Sequence, residues 1–223
     1  MKKLVLLGAL FFVSLSINAQ IMRAEELKKY AKEKYGELWN YAASNLAKEI
    51  QLDKNNALTY TQIIEAPGKS KEQLYILLNY WYSNTFNSGK AVIQLNDKEA
   101  GVIIGKGYLA NIAVHAGGTN AYNVNLCPII KTDIKEGKIR VIYTVPYYDV
   151  DVRAGGGIIG GSTGRLVEEK WPLDKCFPFV EKDKHKKTSS KALVMAHAYS
   201  NVIINKIEEA VKNGLTGNET EEW

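Results

Sequence analysis

Apolar and polar positions recur along this chain with two different periods, and the change of period divides it. From residue 22 to 50, Ala24, Leu27, Ala31, Tyr35, Leu38, Ala42 and Leu46 return at three- and four-residue steps. Glu25, Lys28, Lys29, Lys32, Glu33 and Lys48 fill the other side. This spacing predicts one amphipathic helix over 22–50, within an N-terminal unit of residues 20–52 that packs on the main body. Asp53-Lys54-Asn55-Asn56 interrupts the pattern and reads as a linker. Period two begins at Leu58: Leu58, Tyr60 and Ile64 alternate with Thr59, Thr61 and Glu65, a strand pattern. Ala66-Pro67-Gly68 stops it. Ser70 and Gln73 then form a capping-box pair, and Leu74, Leu77, Leu78 and Trp81 carry a helix to about Phe86.

Four strands follow without a further helix: 91–96, 102–114, the stretch around Tyr122–Leu126, and 139–152. Gly105 and Gly107 share a face of the second, where missing side chains permit a bend or close packing by a helix. In the last strand the apolar phase flips at Pro146, which marks a bulge or an edge. Residues 153–187 show no periodicity, beginning glycine-rich and ending charged, and read as a long loop. Ser189 or Ser190 caps a final helix, assigned to 188–214, and 215–223 form an acidic tail. The core over 57–152 plus this helix has the order β-α-β-β-β-β-α. That order predicts an α+β fold, a curved antiparallel sheet with helices on one face, to which the N-terminal helix is added. The other face carries polar side chains. Asn123, Asn125 and Arg140 are the candidates for a binding surface there, and should stay solvent-exposed.

The head of the chain adds a location. Met1–Lys3 is basic, Leu4–Ile17 is apolar, and Asn18-Ala19-Gln20 follows. This is the pattern of a secretory signal peptide over 1–19, cut after Ala19. No cysteine stands at the cut to take a lipid. The mature protein is therefore expected outside the cytoplasm, periplasmic or secreted, touching membrane only during export. ATP, NAD and chromosomal DNA are absent there, and a net charge of +5, partly from Lys2 and Lys3, is too mild to imply nucleic acid. An oxidising compartment permits a Cys127–Cys176 disulfide; two unrelated thiols are the alternative. No cysteine or histidine spacing points to a metal, and no cofactor is expected.

Three motifs bear on chemistry. Gly155-x-Gly157-x-x-Gly160 spells the dinucleotide fingerprint, but no strand–helix unit encloses it. Gly160-x-Ser162-x-Gly164 spells a nucleophile elbow, with His185 and His197 downstream, but the parallel sheet that motif needs is missing. Asp149 and Asp151 point the same way from one strand, with no third oxygen ligand close in sequence. His197 reads as a packed surface histidine.

Residues 63–75 (IIEAPGKSKEQLY) and 96–108 (NDKEAGVIIGKGY) resemble a bacterial family of unknown function with a TATA-binding-protein-like fold, common in secreted proteins. The resemblance covers about 60–152. It implies the sheet-and-helix shape, no DNA binding, and no catalytic residues. Three functions stay open: a non-enzymatic exported domain that binds a ligand or partner protein through the open sheet face, an extracytoplasmic hydrolase using the 155–164 loop, or an assembly role through the N-terminal helix.

Overall fold

A computed structural model describes residues 22–85, 92–117, 120–154 and 165–214. Residues 1–19, whose sequence has the pattern of a signal peptide, the 155–164 glycine-rich segment with Ser162, and residues 215–223 lie outside the described residues.

Two helices come first among the described residues, α1 (Ala24–Tyr35) and α2 (Trp39–Leu46), where the sequence pattern predicts one. Gly36 separates them at φ +96°, a conformation that suits glycine. The Gly36 N–H donates to the Lys32 carbonyl at 2.9 Å, closing α1. Strand β1 (Leu58–Glu65) leads to α3 (Lys71–Thr85), whose start is capped reciprocally. The Gln73 N–H donates to Ser70 Oγ at 3.1 Å, and the Ser70 N–H to Gln73 Oε1 at 2.8 Å.

Seven strands then run without a helix between them: β2 (Val92–Asp97), β3 (Val102–Lys106), β4 (Leu109–Ala116), β5 (Asn120–Leu126), β6 (Ile129–Lys135), β7 (Lys138–Val145) and β8 (Tyr147–Ala154). β9 (Arg165–Pro172) follows, inside the segment read as loop. All pair antiparallel, in two sheets ordered β1-β7-β6-β3-β2 and β4-β5-β8-β9. The expected single curved sheet is thus realised as two, joined through three shared strands. β3 continues as β4 past Gly107-Tyr108, β5 as β6 past Cys127-Pro128, and β7 as β8 past Pro146. The three breaks lie side by side: Lys106 and Thr144 both face Ile129, while Leu109 and Tyr148 both face Leu126. Pro128 and Pro146 have no N–H to give a ladder. The Gly107 N–H reaches the Pro128 carbonyl at 2.8 Å and holds the line together.

Helix α4 (Lys186–Asn213) is the centre of the packing. It touches α1, α2 and α3 as well as β1, β4, β5 and β7, and it is buried on nearly all sides through its middle. Its start lies earlier than the predicted serine caps. The Asp183 carboxylate accepts the N–H of Phe177 at 2.9 Å and of His185 at 2.7 Å, while Ser189 and Ser190 sit buried in the first turn. On the helix-covered face, Ile139, Val141, Tyr143 and Val145 continue as Tyr148, Val150 and Val152, all buried. α3 packs there through Tyr82, whose ring occupies the space a Cβ at Gly105 would need, 2.7 Å away. The other face is open.

Candidate functional site

A groove of about 500 Å³ lies on the open face where the strands break. Lys106 closes β3, Tyr108 and Cys127 come from two of the breaks, and Asn125 projects from β5. Asp149 and Asp151 project from β8, Glu168 and Lys170 from β9. The ladder sets them in rows: Asn125 faces Asp149, which faces Lys170, and Asn123 faces Asp151, which faces Glu168. Three carboxylates therefore meet two ammonium groups across a shallow, water-accessible surface.

The positions of the predicted residues differ from one another. Asn125 is 4% exposed, not open to solvent. Its Oδ1 accepts the Asn111 N–H at 3.0 Å, and its Nδ2 donates to Asp151 Oδ2 at 3.0 Å. Asn111 sits in the irregular stretch of β4 at φ +58°, so the Asn125 amide satisfies a backbone group that the ladder leaves behind. Asn123 is half-buried beside it. Arg140 is exposed, but on β7 in the other sheet, where Nε and Nη2 donate to Asp133 Oδ2 at 2.8 and 2.6 Å. Partial burial of Asp133 opposes its charge, yet the hydrogen bonds from Lys131 and Arg140 outweigh it and hold its carboxyl below the usual range. The three candidates do not form one surface: Asn123 and Asn125 belong to the groove's wall, Arg140 to a separate ion-paired cluster.

Lys170 and Glu168 also line the groove, and the sequence pattern does not show them because β9 has no strand periodicity. The phenol of Tyr147, more than the neighbouring Asp149, raises the Lys170 ammonium above its ordinary value, with Nζ 4.5 Å from the ring centroid. Glu168 supplies the third carboxylate near Asp149 and Asp151 that sequence spacing could not show. Even so, among the described residues no group of three histidine, cysteine or acidic side chains is arranged to hold a metal ion.

Cys127 and Cys176 are buried thiols, not a bridge. The sheet separates them. Cys127 borders the open-face groove, whereas Cys176 lies on the helix side near Tyr148, where burial pushes its thiol up to about 12.

The histidines are engaged elsewhere. His197 Nδ1 lies 2.7 Å from the Tyr60 hydroxyl, with the Tyr35 ring edge-on at 5.3 Å and Asn201 donating to Tyr35 Oη at 3.0 Å. Burial, reinforced by Lys34, pushes the His197 imidazole down to about 4 and keeps it neutral. His185 stacks on Trp171 at 4.4 Å and meets the Tyr122 edge at 4.6 Å; His115 stacks on Tyr122 at 5.5 Å. The hydrolase reading needs Ser162 near His185 or His197; each of these histidines is packed against aromatic rings, and Ser162 lies outside the described residues.

Residues 60–144 match the model of a domain of unknown function (DUF4468) with TBP-like fold. That match runs from inside β1 into the end of β7, so it takes in α3 and the breaks at Gly107-Tyr108 and Cys127-Pro128. Among solved structures, a TBP-like protein from Parabacteroides distasonis is similar at TM-score 0.48 and 11% identity, covering 72% of this chain and 96% of that one. A DUF4468 family protein from Bacteroides ovatus is similar at TM-score 0.45 and 15% identity, covering 71% and 90%. An aromatase/cyclase, Zhui, from Streptomyces follows at TM-score 0.24 and 13% identity, covering 70% and 96%. No curated protein matches the chain.

Proposed function

We propose that this protein is an exported, non-enzymatic domain that binds a polar ligand or partner protein on its open sheet face, at the groove where the strands break. One observation carries the reading: polar side chains from β3, β5, β8 and β9 converge on a cavity of about 500 Å³ on the face the helices leave uncovered. Such convergence is what a recognition site requires, since a few fixed polar groups set orientation and specificity. Among the described residues the groove is lined by no histidine, and Lys170 is held charged, which suits hydrogen-bonded recognition more than proton transfer. Export rests on residues 1–20, whose charged head, apolar run and small residue at the cut have the pattern of a signal peptide.

A thermal-shift screen with sugars, amino acids and polyamines tests the groove. Positively charged compounds should rank ahead of acidic ones, because three carboxylates face two ammonium groups. The reading expects at least one class to raise Tm, and the rise to disappear in the Asp149→Asn/Lys170→Ala variant. A screen with no rise, or a rise that the variant keeps, rejects the groove as the site.

A further inference from the structure

Four strand edges bound the two sheets, and three of them carry features that discourage pairing with another strand. The β2 ladder slips between Ile93 and Leu95. The β4 ladder slips between Leu109 and Ala113, around the positive-φ residue Asn111. β9 carries Arg165, Glu168, Glu169, Lys170 and Pro172. β1 has none of these devices. Its sequence LTYTQIIE lacks lysine, arginine, proline and glycine, and it pairs with β7 in unbroken register.

Two hydrogen bonds show which way its backbone points. The Ala66 N–H donates to the Gly137 carbonyl at 2.8 Å, so even-numbered residues bond toward β7. The Asp53 N–H donates to the Ala57 carbonyl at 2.8 Å, so odd-numbered residues present their backbone groups outward. The start of that outer edge is occupied by an isolated bridge between Leu52 and Leu58. Past it the edge borders a groove of about 360 Å³, and among the described residues no strand pairs with the outward backbone of Thr61, Ile63 and Glu65. The side chains of these three lie on the open face, with Ile63 60% exposed.

We infer that β1 pairs antiparallel with β1 of a second copy of this chain, about a two-fold axis at Ile63. The edge is complementary to itself in this register. Ile63 meets Ile63, so the exposed side chain is covered by its own equivalent, and Thr61 meets Glu65, so no like charges stand opposite. Glu65 keeps Lys138 beside it on the β7 side. The three outward residues of each strand make about six N–H···O=C bonds and fuse two five-stranded sheets into one. Only Thr61–Glu65 is available, so the contact is small and the dimer weak. This inference stands apart from the groove on the second sheet.

Sedimentation velocity on the purified chain from about 5 µM to about 1 mM tests it, with dimer expected at the upper end. Thr61→Pro removes an outward N–H that β7 does not use, and should leave a folded monomer. Ile63→Cys, oxidised with glutathione disulfide, should cross-link to a covalent dimer, because residues opposite on the two-fold come within disulfide reach. Thr61→Cys should not, being opposite Glu65. A chain that stays monomeric throughout, as it would if the edge takes a foreign strand, overturns the inference. So does a dimer that persists in Thr61→Pro, or equal cross-linking of the two cysteine variants. If Thr61→Pro fails to fold by circular dichroism, Ile63→Lys replaces it, with the same monomer expected.

Discussion

The Tyr143 side chain is fully buried in the core, and its hydroxyl has no hydrogen-bond partner among the described residues. Burial, with Tyr199, Tyr60 and Tyr148 nearby, keeps the phenol protonated at any ordinary pH. A buried donor without a partner carries its full desolvation cost. Tyr143→Phe removes that cost and keeps the ring, so it should stabilise the protein by about 1 kcal/mol, read as a higher urea midpoint with unchanged slope. An unchanged or lower midpoint would mean the hydroxyl has a partner. Asn125 is the opposite case: a polar side chain in a strand pattern that looks like surface, yet is fully used inside. Its alternation with Val124 and Leu126 gives it the position of a surface residue. Its burial depends on Asn111, fourteen residues away, folding over it through an irregular stretch that no local pattern announces.

Element types were legible wherever one face is apolar and the other polar. β1, α3 and α4 follow their periodicities, and the Ser70–Gln73 box marks the start of α3 to the residue. The box predicts its own test. Ser70→Ala should cost about 1 kcal/mol, toward the low end because Glu136 also accepts the Lys71 N–H at 2.9 Å. Urea denaturation measures it, and a cost near zero would assign the cap to Glu136 alone. Boundaries were less legible, for physical reasons specific to each. The apolar stripe of the first helix runs on to Leu38, yet Leu38 is exposed, and the positive φ at Gly36 decides the break. The strand pattern runs through Gly107 and Cys127-Pro128 because a strand that changes sheets keeps its alternation; only Pro146 shows a change of phase. β9 escaped because Glu168 and Glu169 put charge on both of its faces, which erases a period of two. With β9 went Glu168 and Lys170, two of the charged side chains that line the groove.

For the molecule as a whole, α4 joins the layers, and the His197–Tyr60 contact ties it to β1 while the Tyr35 ring ties it to α1. That contact is sensitive to acid. The His197 pKa in the fold is about 4, below the ordinary value of about 6.5 for an unfolded chain. Between these values the unfolded state binds the proton and the folded state does not. Stability is therefore fully present above pH 6.5 and is lost as pH falls toward 4. Allowing for the part of the ring that remains in contact with solvent, the loss is on the order of 2 kcal/mol. Urea midpoints of the wild type at pH 7 and pH 4.5 should differ by more than those of His197→Gln. Equal differences would place the acid sensitivity in the carboxylates, such as Asp183, that the fold holds below their usual range.

The aligned breaks at Gly107, Pro128 and Pro146 give the open face a crease whose course is drawn by main chain. Its position is set by two imino acids and a glycine, not by the side chains that line it. Lys106, Tyr108, Asp149 and Lys170 can therefore be exchanged while the crease keeps its shape, whereas replacing the two prolines would let the ladder close and flatten it. Shape and chemistry are separable in this molecule: the backbone supplies a fixed recess, and the residues along it are free to vary.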